Sequence, residues 1–247
     1  MICLWVIFFS RVIFSGPGLA LLQSARAAGV RGEVELTNSK DAAVRKHKDY
    51  SGVVLWLEPV ERAVSSLGNG RRVEMLQKDK HFIPHVLAIP VGTTVDFPNA
   101  DPIFHNAFSN FSGQPFDVGL YPPGTSKSFT FKHKGMVRVF CNIHSTMSAI
   151  IAVLPTQWYV VTQYSGQYNI PNVPPGDYQL RIFHERALPE IVQFLERRIT
   201  VSESGLTLPL ISISETGFIP VQHLNKFGKD YPPPVTDGST YPGAPRQ

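Results

Sequence analysis

Cys141, His144 and Met147 stand three residues apart in VRVFCNIHSTMSAIIAVL, between two apolar runs that read as strands. A thiol, an imidazole and a thioether at this spacing can converge on one point. The first is held at a strand end and the short loop turns the others back over it. These are soft and borderline donors, suited to copper and poorly suited to magnesium or calcium. Zinc favours more thiolates, and a thioether is an unusual zinc ligand. A trigonal copper site needs one thiolate, two imidazoles and a long axial thioether, so one imidazole is missing from the loop. The segment NADPIFHNAFS offers it in His105, on a short apolar run that a β-sandwich would bring beside Cys141. Asn106, next in the chain, is placed to bond across to the ligand loop and steady both halves of the site.

The cysteine count strengthens this expectation. The chain has two cysteines, Cys3 and Cys141. Residues 1–27, MICLWVIFFSRVIFSGPGLALLQSARA, read as an export signal: apolar runs broken by Arg11 end on the small-x-small Ala25-Arg26-Ala27. Cleavage after Ala27 is expected, giving a periplasmic or otherwise exported protein. The alternative is an uncleaved membrane anchor, but Gly16-Pro17-Gly18 interrupts the ~20 apolar residues that a span requires. Membrane contact is expected only if this segment is kept. Once it is removed, Cys141 has no disulfide partner. A free thiol in an oxidising compartment is a liability unless something occupies it, and a metal is the economical occupant.

The elements that must position these donors are strands. The chain of 247 residues holds 21 prolines and 19 glycines among short β-branched runs, a turn-rich β composition. Between residues 85 and 154 the segments HVLAIPV, TTVDF, IFHNAF, SKSFTF, MVRVF and SAIIAVL are separated by PVG, PNADP, YPPG and HKG. No long 3.6-residue period and no internal repeat occurs. The expected fold is all-β: an antiparallel Greek-key β-sandwich over residues 28–155, then a smaller β-sandwich over 156–214. EIVQFLERRI has helix-forming residues but is read as a strand, because its neighbours are strands and β-branched residues follow. Residues 215–247 carry too few core formers to fold alone and are read as a poorly structured tail. The formal charge of +4 falls to 21 basic against 19 acidic side chains without residues 1–27, which excludes a nucleic-acid footprint.

FHNAF followed by VFCNIHSTM resembles the cupredoxin, or type 1 blue-copper, family, whose pattern is an upstream His, often His-Asn, then Cys, His and Met on one loop. More widely, GVVLWLEP, FIPHVLAIPVGTTVDFPNADPIFHNAFS, FDVGLYPPG, VFCNIHSTMSA, VPPGDYQLRIFHERA and HLNKFGKDYPPP resemble bacterial exported plastocyanin- and amicyanin-like proteins labelled for methylamine utilisation. Their second domain is similar to the transthyretin-like, or carboxypeptidase-regulatory-like, fold. The resemblance implies an electron carrier rather than an enzyme, with one copper per chain. Cys141, His105 and His144 would be the planar ligands and Met147 the axial one. It also implies a redox protein partner, a c-type cytochrome or a periplasmic dehydrogenase. In such folds the histidine of the ligand loop lies nearest solvent, so His144 would be the electron port, rimmed by Ile143 and Ser145.

Two other readings compete. The site could hold or deliver copper without redox turnover. Alternatively, Cys141 could be a hydrolase nucleophile with His105 as base, which leaves Met147 without a role. The remaining histidines are read as structural: His81 and His85 at a strand entry, His47 in a charged run, His133 in a turn and His184 bonded locally. Met75 and Glu74 lie near the HFIPH stretch without a clear claim on the metal, and His223 has no evident place.

Overall fold

Residues 53–57 and 149–154 are apolar at every position rather than every second one. Successive strand side chains point to opposite faces, so such runs call for burial on both sides. The structure, a computed structural model, meets that demand with four stacked sheets. It describes residues 28–61, 69–110, 113–220 and 223–232; the expected export signal and residues 233–247 of the tail lie outside it.

The elements in chain order begin with β1 (Val30–Thr37), α1 (Ala42–His47), β2 (Val54–Pro59), β3 (Arg72–Glu74), β4 (Leu76–Lys78) and β5 (His81–Ile83). There follow β6 (Val86–Pro90), β7 (Thr94–Pro98), β8 (His105–Ser109), β9 (Phe116–Tyr121), β10 (Ser126–Thr130), β11 (Gly135–Phe140) and β12 (Ser148–Leu154). The last group is β13 (Tyr159–Val161), β14 (Gln167–Ile170), β15 (Gly176–Phe183), α2 (Pro189–Leu195), β16 (Arg197–Val201), β17 (Leu206–Thr207) and β18 (Ile211–Ser214). No helix among the described residues is long and apolar enough to cross a membrane.

One sandwich packs the sheet β6-β12-β11-β8-β9 against β10-β7-β3, with β4 and β5 forming a small hairpin. Its core includes Phe97, Phe131, Val139 and Ile151, together with Cys141 and Met147. The other packs β13-β2-β15-β16 against β1 and its partners β14, β17 and β18 around Leu55, Leu57, Leu180 and Ile213. A third apolar layer joins the two: Val54 and Trp56 of β2 meet Val86 and Ala88 of β6 and Ile150, Ala152 and Leu154 of β12. Thus β2 and β12 each feed one core with odd-numbered residues and the joining layer with even-numbered ones. Their unbroken apolarity follows from that double duty.

The chain is all-β, as expected, but its strands do not divide at residue 155. β1 and β2, expected with the first sandwich, hydrogen-bond into the second: Leu57 registers with Leu180 of β15, and Val30 with Ile170 of β14. The second sandwich therefore combines residues 30–59 with 159–214. Alternation tells which faces of a strand are buried but not which sheet the strand joins. The wiring is also mixed rather than purely antiparallel, since β6 runs parallel to β12 and β3 to β7. EIVQFLERRI, expected as a strand, splits into α2 and β16. Pro189 sits in the first turn of α2, where a missing N–H loses nothing. Phe194 on that helix is largely exposed, so no sheet face demands the residues as strand.

The joint between α1, the turn after β15 and the end of β18 centres on buried Glu215. Its carboxylate accepts from Ser39 Oγ at 2.5 Å, from His184 Nε2 at 3.0 Å and from Arg186 Nε at 3.0 Å. Burial opposes ionisation, but the hydrogen bonds from His184 and Ser39 and the Arg186 charge outweigh it and hold the pKa at about 2. A carboxyl depressed in the folded state contributes stability above its unfolded pKa and loses it as pH falls through the folded value. Urea midpoints should therefore fall as pH drops from about 4.5 towards 2. Glu215→Gln should be less stable than the parent at neutral pH and should show a shallower fall over that window. An equal fall in both proteins would assign the acid sensitivity elsewhere.

Candidate metal centre

β8 opens on His105, and β11 closes on Phe140, one residue before Cys141. Phe140 registers with Phe108 of β8 on one side and with Ser148 of β12 on the other, so the three strand ends lie together. The loop between β11 and β12 is pinned internally. The Met147 N–H donates to the His144 carbonyl at 3.1 Å, and the Cys141 N–H donates to the Met147 carbonyl at 3.2 Å. Asn106 reaches across as expected: its Oδ1 accepts from the Asn142 N–H at 3.3 Å. Its Nδ2 is anchored on Asp117 at 2.7 Å and on the Gly119 carbonyl at 2.9 Å.

This framework brings three of the four candidate ligands to one point. Nδ1 of His105 lies 3.8 Å and Nδ1 of His144 lies 3.6 Å from Sγ of Cys141. All three donor atoms fall within 4.8 Å of one another. Donors bound at about 2.1 Å around one ion in a plane stand ~3.7 Å apart, so the spacing suits a single metal ion. Met147 is fully buried in the same core cluster as Cys141, and its backbone carbonyl bonds the Cys141 amide. His105 and Cys141 are likewise sealed from solvent, whereas His144 is half-buried. A thiolate and two imidazoles, with a thioether closing the loop, is the donor chemistry of a copper site.

Burial raises the Cys141 thiol pKa, partly offset by the backbone amides of Ile143, His144 and Asn106 directed at the sulfur. A metal must displace that proton, and the three amides then support the thiolate. His144 is pushed down to about 4 by burial and by the neighbouring His105 and Lys80, against the pull of Asp101. It is therefore neutral at physiological pH, with a lone pair available.

Asp101 is the site residue that sequence reasoning missed, having read PNADP only as a break between strands. Its Oδ2 lies 2.7 Å from Nε2 of His105, both side chains being buried. The carboxylate also accepts from the backbone amides of Asp79 at 2.6 Å and Lys80 at 2.9 Å. Burial opposes its ionisation, but Lys80, His105 and Asp79 together hold the carboxyl below its ordinary value. An ionised Asp101 can only accept, so Nε2 of His105 carries the proton and Nδ1 faces the sulfur as the free donor. The signal available in sequence was an acid four residues before the candidate histidine.

The tail departs from expectation too: residues 223–232 rest on the ligand loop, and His223 stacks on Phe140. His85 bonds the Ser148 carbonyl and Glu185, which ties β12 to the second sandwich. His184 bonds Glu215, and His81 caps its own turn through the Asp79 carbonyl. Met75 is a fully buried core residue beside Phe97 and Val95, and Glu74 is exposed.

No family model and no curated protein matches the chain. Solved structures are similar to part of it. A copper-containing nitrite reductase from Thermus scotoductus SA-01 is 31% identical over 39% of this chain and 25% of its own, with a TM-score of 0.33. The chain thus spans about a quarter of that enzyme's length. A purple cupredoxin from Nitrosopumilus maritimus is 23% identical over 34% of this chain and 99% of its own, with a TM-score of 0.30. A reduced amicyanin variant is 17% identical over 40% of this chain and 99% of its own, with a TM-score of 0.32.

Proposed function

We propose that this protein binds one copper ion through Cys141, His105, His144 and Met147 and carries single electrons with it. The observation that carries the reading is the convergence of the cysteine sulfur and two Nδ1 atoms within 4.8 Å, in a core that also buries Met147. Copper bound there would cycle between Cu(II) and Cu(I). These two states ordinarily favour different geometries, and a scaffold that fixes the ligands reduces the rearrangement each transfer requires. The pinned loop 141–147, the carboxylate behind His105 and the Asn106 bridge supply such fixing. His144, the one of the three converging donors near solvent, would be the port for electrons.

In this reading the protein is exported by way of residues 1–27 and exchanges electrons with another redox protein, such as a c-type cytochrome or a periplasmic dehydrogenase. A transthyretin-like fold for the second sandwich belongs to the same proposal. The hydrolase reading is disfavoured by a thiol that is fully buried and raised in pKa, whereas a nucleophile needs an accessible, low-pKa thiolate.

Copper loading tests the proposal. The protein without residues 1–27, given one equivalent of Cu(II), is expected to develop an intense visible thiolate-to-copper band and a reversible one-electron couple. Pale, readily exchanged copper would favour metal holding or delivery instead. Failure to bind copper would remove both readings.

A further inference from the structure

Residues 223–232 contain no strand or helix and belong to neither sandwich core, yet their contacts gather around the loop that holds Cys141. The Tyr231 hydroxyl donates to the Cys141 carbonyl at 2.7 Å. The Lys226 backbone N–H donates to Oδ1 of Asn142 at 2.9 Å. Asn142 is therefore gripped from two directions, since its own N–H is held by Asn106. Nζ of Lys226 meets Asp117 at 2.8 Å, the same carboxylate that anchors Asn106. The His223 ring lies over Phe140 with centroids 4.0 Å apart and 23° between planes, and its Nδ1 is 3.2 Å from the Tyr231 hydroxyl. The segment braces itself through Asn225, whose Oδ1 accepts from the amides of Phe227 at 2.9 Å and Lys229 at 3.2 Å.

We propose that residues 223–232 form a strap that holds loop 141–147 in its metal-binding shape, with Tyr231 and Lys226 as positioning residues. The proposal rests on the copper reading of the site. The strap touches the residues on either side of the sulfur-bearing position, Phe140 and Asn142, and the carbonyl of Cys141 itself. It thereby restrains the backbone from which the thiolate projects. The loop's two internal hydrogen bonds close it on itself, Asn106 of β8 holds the Asn142 N–H, and the strap adds a second external hold on the Cys141 carbonyl and the Asn142 side chain. The consequence is a site that reopens slowly: copper leaves when the loop lifts, and the strap makes lifting rarer.

The test compares the full chain with Tyr231→Phe, and with Tyr231→Phe combined with Lys226→Ala, against the parent. A hydrogen bond of ordinary net strength corresponds to roughly a two- to tenfold change in an opening equilibrium. In the metal-free proteins, hydrogen exchange at the Cys141, Asn142 and Met147 amides is expected to quicken by that order, and more in the double variant. The amides of Ile151 and Val153, in the core, should keep their rates. In the copper-loaded proteins, transfer of copper to excess chelator should quicken by the same order, and the copper hyperfine splitting in the electron paramagnetic resonance spectrum should shift. If either loop exchange or copper release in the double variant equals the parent's, the proposal is overturned. Exchange that quickens evenly throughout the sandwich also overturns it, because that marks a general loss of stability. A parent protein that takes up no copper removes the reading of the site, while loop exchange in the metal-free protein still decides whether the strap holds the loop.

Discussion

Replacing Cys141 by alanine is expected to abolish the visible absorption of the copper-loaded protein and most of its affinity for copper. The sulfur is the one donor common to both close contacts, at 3.8 Å from His105 and 3.6 Å from His144. Without it, two imidazoles and a thioether remain, and the intense band that a thiolate lends to Cu(II) has no source. The side chain is small and fully buried, so the substitution leaves a gap of little more than one atom. Deleting a buried group of that size destabilises a core by about 1 kcal/mol. The fold should therefore survive, and far-ultraviolet circular dichroism should match the parent. Visible spectroscopy and a competition titration against a chelator of known affinity check the two losses together. An unchanged visible spectrum in the folded variant would place the copper, if any, elsewhere.

How far the site could be read from sequence follows from what each residue does. The meeting of Cys141 and His144 was legible because it depends on residue type and spacing, and both are written in the chain. His105 was legible because a sandwich leaves few ways for an isolated histidine on an apolar run to be useful. Asp101 acts one step behind His105, and its carboxylate also accepts from the amides of residues 79 and 80. Its one mark in the sequence, an acid four residues before His105, is shared by ordinary turn residues. The strap was hidden for a related reason. It is held by single hydrogen bonds and one ring stack rather than by a buried apolar face, and composition registers only the latter. Burial on both faces of β2 and β12 left its mark in their unbroken apolar runs. The partners of β1 and β2 left none, because register with β14 and β15 depends on residues more than a hundred positions away.

The two sandwiches are therefore not independent neighbours. β12 begins where the ligand loop ends, and its even-numbered residues pack on β2 of the other sandwich. His85 bonds the carbonyl of Ser148, the first residue of β12, and reaches Glu185 beyond it. Burial and hydrogen bonding on both sides of this strand anchor one end of the metal loop to two cores at once. Rigidity at the site is in this sense a property of the whole chain, with the second sandwich acting as backing for the first.

Behind His105, the Asp101 carboxylate is expected to set how strongly the centre favours Cu(II). An ionised partner on Nε2 makes the imidazole a better donor at Nδ1, and a richer donor stabilises the more highly charged metal. Asp101→Asn keeps the size and removes the charge. It also replaces one acceptor oxygen by an amide nitrogen that faces the same donors, the amides of Asp79 and Lys80 or the His105 ring. Loss of such a partner typically lowers metal affinity by about 10- to 100-fold. The fall should be larger for Cu(II) than for Cu(I), so the reduction potential should rise. Chelator competition in each oxidation state and a redox titration measure the two effects separately. Weakening by an equal factor in both states would leave the potential unmoved and reduce Asp101 to a support for the 79–80 turn. A selective loss of Cu(II) affinity would instead mark the carboxylate as part of the electronic environment of the metal.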